Sequence, residues 1–263
     1  ASAAIAIENA RLYQVAVEKG RMERELQVAR EVQTNLIPRV TPRIAGWDFA
    51  AQWHSALEVS GDFYDFIVTD GAPLSIVIGD VADKGMPAAL FMTLTRTIMR
   101  ASVGFGRTPA QTLTHANRLV CADASDGMFV TLLYAELDPT TGELCYANAG
   151  HPAPLWFRAA SNDLVELTLH GPPLGVVETK TYAHEAAPLE RGDVVLLYTD
   201  GVTDALNRAG EDFGKPRLLR VVTDSCRASA RDVHGDLRRA LVEFIGDTPP
   251  ADDATFVVVR RME

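Results

Sequence analysis

The sequence has little positive charge to spare and no long apolar run. Its 25 lysines and arginines face 35 aspartates and glutamates, leaving a formal net charge of −10 over 263 residues. Residues 1–37 carry five groups of each sign, so the whole excess lies in residues 38–263. Lack of a basic face argues against nucleic acid as a partner and makes an anionic membrane surface a poor one. No stretch approaches the roughly 18 apolar residues of a membrane helix, and no signal-peptide pattern opens the chain. A cytoplasmic location without membrane insertion is therefore expected. Cysteine is scarce: Cys121, Cys145 and Cys226 are odd in number, widely spaced and form no C-x-x-C pair. That pattern reads as reduced thiols, with neither a disulfide frame nor a zinc site. An initiator methionine is also missing, and the helical opening Ala-Ser-Ala-Ala-Ile suggests a piece of a longer protein. Apolar residues are plentiful, at 47%. That is enough for one well-buried domain and too much for disorder.

Proline is absent from residues 1–37, which hold a single glycine, Gly20. Leu12, Val15, Lys19, Met22, Leu26, Ala29, Gln33 and Leu36 follow a 3-4 spacing, with Lys19 and Gln33 as polar members of the a row. This is the seam of a coiled coil, ended by Pro38 and Pro42. One reading is a signalling helix that pairs with its own copy through residues 8–37; the other is a helix lying on its own domain. The body, 38–263, alternates short strands with a few helices. Strands are expected at 47–56, 63–68, 74–78, 129–137, 143–148, 155–157, 164–169, 194–198 and 254–260. Helices are expected at about 87–102, 109–122, 215–224 and 230–245. Asp70-Gly71 and Asp138-Pro-Thr-Thr-Gly142 are hairpin turns. Hairpin-linked strands with helices in separate blocks indicate an α+β fold with antiparallel sheets.

Chemistry is concentrated in carboxylates beside glycines at strand ends: Gly61-Asp62, Gly79-Asp80-Val81, Asp200-Gly201 and Asp252-Asp253. Converging carboxylates repel one another. A hard divalent cation removes that repulsion and takes oxygen ligands, which fits Mg²⁺ or Mn²⁺. Two such ions about 3.5–4 Å apart activate a water and hold a phosphoryl group for in-line attack. Each aspartate taken alone is equally a turn former or helix cap, and the positions lie up to 190 residues apart.

Six segments occur in one order: Val59-Ser-Gly-Asp-Phe-Tyr-Asp65, Ile78-Gly-Asp-Val-Ala-Asp-Lys-Gly85, Tyr146-Ala-Asn-Ala-Gly-His-Pro152, Gly171-Pro-Pro-Leu-Gly175, Leu197-Tyr-Thr-Asp-Gly-Val202 and Asp252-Asp-Ala-Thr255. Together they resemble the SpoIIE-type branch of the PPM serine/threonine phosphatases over about residues 30–261. The resemblance implies an αββα sandwich: two antiparallel sheets packed together with helices outside, here preceded by a long N-terminal linker helix. It implies two Mn²⁺ or Mg²⁺ ions at one edge. Asp80 would bridge them, the Val81 carbonyl would join one, and Asp200 and Asp252 would complete the other site. Asp62 would bind directly or through water, and Asp253 would exchange roles with Asp252 if the register is shifted by one. The attacking group would be a metal-bound water, with no protein nucleophile. The implied substrate is a phosphorylated signalling partner, a STAS-domain anti-anti-sigma factor in bacterial partner switching.

One departure stands out. The family commonly has Ser-Gly where this chain has Ala82-Asp83, ahead of Lys84. Asp83 reads as an outer acid or a helix cap, and Lys84 as a phosphate helper or a solvated side chain. His151 is expected to shape the sheet edge or a substrate flap rather than to transfer protons. The helices near 87–103 and 109–123 correspond to a family switch that touches both the metal loop and the linker, and residues 4–13 look like the last helix of a GAF sensor domain. Two rivals remain: a catalytically silent binding module on the same fold, and an aspartyl-phosphate enzyme. The second would need parallel βα alternation, which the hairpins contradict.

Overall fold

The computed structural model describes residues 2–105, 108–124 and 127–263. Helix α1 (Ser2–Leu36) leads into β1 (Trp47–His54), β2 (Phe63–Ile67) and β3 (Leu74–Val81). Helices α2 (Met86–Ser102) and α3 (Pro109–Asp123) follow, each with proline in its first turn, where a missing N–H costs nothing. Next come β4 (Val130–Leu137), β5 (Glu143–Ala149), β6 (Leu155–Arg158), β7 (Asp163–Glu166), β8 (Glu185–Pro188) and β9 (Val194–Tyr198). A 3₁₀ turn (Asp200–Val202), α4 (Gly214–Ser225), α5 (Ala230–Ile245) and β10 (Ala254–Arg261) complete the chain.

The strands form two five-stranded antiparallel sheets, ordered β1-β10-β9-β6-β7 and β2-β3-β4-β5-β8. Period-2 alternation explains how they stack. In β9, Val195 and Leu197 join the core between the sheets. Val194, Leu196 and Tyr198 face the other way, onto Leu218, Val222, Val233 and Leu237 of α4 and α5. The α2–α3 pair covers the second sheet through Met92, Met99, Leu113 and Val120. This is the αββα sandwich expected from the sequence.

Three differences from expectation have physical causes. Strand β3 continues to Val81, because Gly79 and Asp80 stay in register with Leu132 and Thr131 of β4. Strand β8 was not foreseen: Glu-Ala-Ala-Pro has no β-favouring residue, and it is an edge strand held only by β5. The seam of α1 also divides. Leu12, Val15 and Met22 are exposed, whereas Gln33 is buried against the body. Its Nε2 donates to the Ser60 carbonyl (2.9 Å), and its Oε1 accepts from the Ser60 N–H (3.0 Å). The segment that looked like a sensor-domain tail is helical, but the side chains of residues 2–7 and 10 lie outside the described set.

Candidate metal centre at the acidic edge

Strand register brings the four strand-end aspartates to one edge. Phe63 pairs with Gly79, so Asp62 and Asp80 come together where β2 begins and β3 ends. Phe256 pairs with Tyr198, so Asp200 and Asp252 leave the other sheet at the same edge. Thr199 ties the sheets: its hydroxyl donates to Asp62 Oδ2 (2.7 Å), and its N–H donates to the Thr255 carbonyl (2.9 Å). The glycines make the approach possible. A Cβ on Gly201 would overlap the Asp253 carbonyl oxygen, so only glycine lets the Asp200 turn lie against the start of β10. A Cβ on Gly61 would sit 3.1 Å from the Val81 carbonyl oxygen, so glycine there keeps that oxygen clear.

The electrostatics are those of uncompensated acids. Burial, then the neighbouring Asp80 and Asp253 carboxylates, push Asp62 well above the usual carboxylate range. Asp80 is pushed up to about 7, first by burial and then by Asp200 and Asp252. Asp200 is raised by partial burial, by Asp204 and by Asp252. Each shift says that the ionised form lacks compensation from the protein itself.

Asp252 and Asp253 have different work. Asp253 is occupied by the 56–61 loop: Oδ1 accepts from the Ala56 N–H (2.8 Å), and Oδ2 accepts from Ser60 Oγ (2.6 Å) and the Gly61 N–H (2.9 Å). Asp252 is half-exposed and holds the Lys84 ammonium at 2.9 Å, while Lys84 also donates to the Ala251 carbonyl. Lys84 is thus tied to the segment just before β10 rather than free in solvent. Asp83 sits at φ 81, the left-handed region that favours glycine, which gives a physical reason for glycine at that place in the family pattern. It does not cap α2, whose N-cap is Gly85; its Oδ1 accepts from the Lys84 N–H instead.

His151 lies one layer beneath. Its ring Nδ1 is 3.0 Å from Thr131 Oγ1, and its backbone N–H and carbonyl are clamped by the Asn148 amide. Burial pushes it down to about 3, so it is a neutral strut at the sheet edge, as expected, and no proton carrier near neutrality. Sequence reasoning missed Thr199, Ser60 and Asp204 as partners in this edge, and Gln33 as the link from α1. It also missed the pairing of buried Asp65 with Arg96 (3.1 Å) and Arg100 (2.6 Å). Of the edge partners, Ser60, two residues before Asp62, and Thr199, next to Asp200, lay within the segments that carried the resemblance; Asp204 lay outside them.

Among the described residues, no three His, Cys, Asp or Glu side chains are gathered closely enough to hold an ion as they stand. The donor set still suits a hard divalent cation. It is all oxygen, burial and neighbouring acids raise Asp62, Asp80 and Asp200, and the Val81 carbonyl is kept clear by Gly61.

An antiparallel α+β sandwich with acids gathered at one edge defines the class of protein. Residues 70–262 match the family of the Stage II sporulation protein E (SpoIIE), and the chain belongs to that family. The match begins downstream of Asp62. The chain is 31% identical to the phosphoserine phosphatase RsbU of Bacillus subtilis over 90% of its own length and 70% of RsbU. It is also 31% identical to Protein IcfG of Synechocystis, over 93% of this chain but only 43% of that protein. The chain thus spans less than half of IcfG. In fold it resembles the SiaA-PP2C domain of Pseudomonas aeruginosa, with a TM-score of 0.81 at 22% identity, covering 93% of this chain and 98% of that one. The catalytic domain of the serine/threonine protein phosphatase PstP in complex with two manganese ions superposes with a TM-score of 0.60 at 15% identity, covering 82% and 99%.

Proposed function

We propose that this chain is a metal-dependent phosphatase of phosphoserine or phosphothreonine on a signalling protein. The observation that carries the reading is the convergence of Asp62, Asp80, Asp200 and Asp252 from two sheets onto one edge, where burial and neighbouring acids raise the proton affinity of Asp62, Asp80 and Asp200. Two Mn²⁺ or Mg²⁺ ions would be held by Asp62, Asp80, the Val81 carbonyl, Asp200 and Asp252. When bound, such ions activate water and neutralise phosphoryl oxygens. The protein's own part is orientation. Thr199 fixes Asp62, Gly201 seats the Asp200 turn, and Asp253 acts as organiser of the 56–61 loop, which leaves Asp252 for the ligand role. Lys84, already beside Asp252, is placed to meet a phosphate oxygen. By family, the substrate is a STAS-domain anti-anti-sigma factor and the setting cytoplasmic.

The division of labour follows the chain: residues 1–37 transmit and 38–263 catalyse. The exposed Leu12, Val15 and Met22 favour a homodimer through residues 8–37, and Gln33 connects that helix to the loop that precedes Asp62. Removing residues 1–25, which keeps Gln33, should give a monomer by light scattering; an unchanged mass would sink the dimer. The enzymatic reading is tested by hydrolysis of a phosphoserine peptide and an aryl phosphate with and without Mn²⁺. Mn²⁺-dependent turnover lost in Asp80→Asn and Asp200→Asn is expected. A second reading, a silent binding module, draws on the ion pair that already engages Asp252; no turnover with either metal would favour it.

A further inference from the structure

Beside the acidic edge lies a cavity of about 200 Å³ whose apolar walls have no part in the proposed metal chemistry. Leu241, Val242 and Ile245 of α5 form one wall, and Ala205, Leu206 and Phe256 form another. Gly201 and Asp252 belong both to this cavity and to the proposed metal edge. It is smaller than the roughly 300–1,000 Å³ of small-molecule sites, and its apolar walls have room for a single side chain. Its mouth is open: Val242 is 60% exposed. Arg238, one turn earlier on α5, also lines it and makes no hydrogen bond or ion pair among the described residues. By contrast, Gln52 on the opposite side is engaged by His234.

We propose that this cavity is a specificity subsite for the phosphoprotein: it takes one apolar side chain within about three residues of the phosphoserine, and Arg238 meets an acidic residue next to it. This rests on the phosphatase reading above. The shared Gly201 and Asp252 set the reach, since a chain whose phosphate lies at the acidic edge advances about 3.3–3.6 Å per extended residue. At the cavity Arg238 presents a guanidinium with no carboxylate partner among the described residues, which an acidic residue of the phosphoprotein can meet.

The test uses the whole chain with Mn²⁺ and fluorescein-labelled phosphoserine peptides. Leucine is scanned through the three positions on each side of the phosphoserine in an otherwise alanine background, with and without an adjacent glutamate. An aryl phosphate, which has no flanking residues, is the reference. One leucine position should lower KM about tenfold or more, the size expected for apolar groups filling a pocket, with little change in kcat. Val242→Trp should abolish that advantage, and Arg238→Glu should reverse the preference for glutamate. Both side chains are at the surface, and an unchanged melting temperature checks their folding. Each variant should affect the peptides far more than the aryl phosphate. A flat leucine scan, or an advantage that survives both variants, overturns the subsite. If the wild type hydrolyses nothing, the phosphatase reading fails and anisotropy decides the subsite separately. Leucine-dependent binding weakened by Val242→Trp supports it; leucine-independent binding overturns it.

Discussion

Asp62 and Asp65 stand three residues apart, one just before β2 and one in its middle, and each is 1% exposed. Asp65 is met by two guanidinium groups, Arg96 and Arg100 of α2, at 3.1 and 2.6 Å. Asp62 is met by a threonine hydroxyl and, at short range, by other acids, which push its proton affinity well up. Equal burial with opposite surroundings separates a structural carboxylate from one that awaits a cation from outside. The comparison also resolves the surplus of acid. The excess is not spread evenly in its consequences: at one edge Lys84 is the cation paired with Asp252 while Asp62 and Asp80 are left among other acids, and three residues beyond Asp62 two arginines meet Asp65.

The sharpest way to break the comparison is to neutralise each acid. Asp65→Asn should destabilise the fold by about 3–5 kcal/mol, because it leaves two partly buried arginines without their carboxylate, as read from urea unfolding. Asp80→Asn should do the reverse to the metal-free protein, raising its melting temperature, while Mn²⁺-dependent hydrolysis falls more than about a hundredfold, beyond the usual cost of losing an outer-shell partner. If the two substitutions behave alike, the contrast is wrong. Next in size is Gly201→Ala. The added methyl overlaps the Asp253 carbonyl, so the Asp200 turn must lift from β10, and metal affinity measured by titration should fall at least about tenfold.

A third effect is in pH. Asp80 has a folded value near 7 against a reference of 3.8, so between those values the folded state binds more protons than the unfolded. Its contribution to metal-free stability is complete below the unfolded value and is lost as pH rises through about 7. Acidifying from pH 8 to 6 should therefore raise the melting temperature of the metal-free protein, and saturating Mn²⁺ should remove that slope. The smallest effect is Asp83→Gly. Relieving a left-handed aspartate should stabilise the fold by about 1 kcal/mol, seen as a modest rise in the melting temperature.

Much of the fold was legible in the sequence because its signals are local. A short continuous apolar run bounded by Thr199-Asp200-Gly201 marked β9 at Val194–Tyr198, and Asp70-Gly71 marked the turn between β2 and β3. Strand β8 was illegible because only its neighbour β5 makes Glu185–Pro188 a strand. In the site, strand-end aspartates flanked by glycine were visible one by one. What joins them was not, since the register of Phe63 with Gly79 and of Phe256 with Tyr198 is set across long stretches of chain. Gln33 shows the same limit from the other side. Its spacing fits a helical seam, yet its amide is spent on Ser60, 27 residues on.

The account rests on the acidic edge taking a cation that displaces protons. Titration calorimetry with Mn²⁺ at pH 7, repeated in buffers of different ionisation enthalpy, tests this most directly, because ligating carboxylates must be ionised. Saturable binding with net proton release, fading above pH 8 and abolished in Asp80→Asn but retained in Asp65→Asn under folding conditions, is the predicted result. Absence of binding to the wild type, or binding that Asp80→Asn leaves intact, would contradict it.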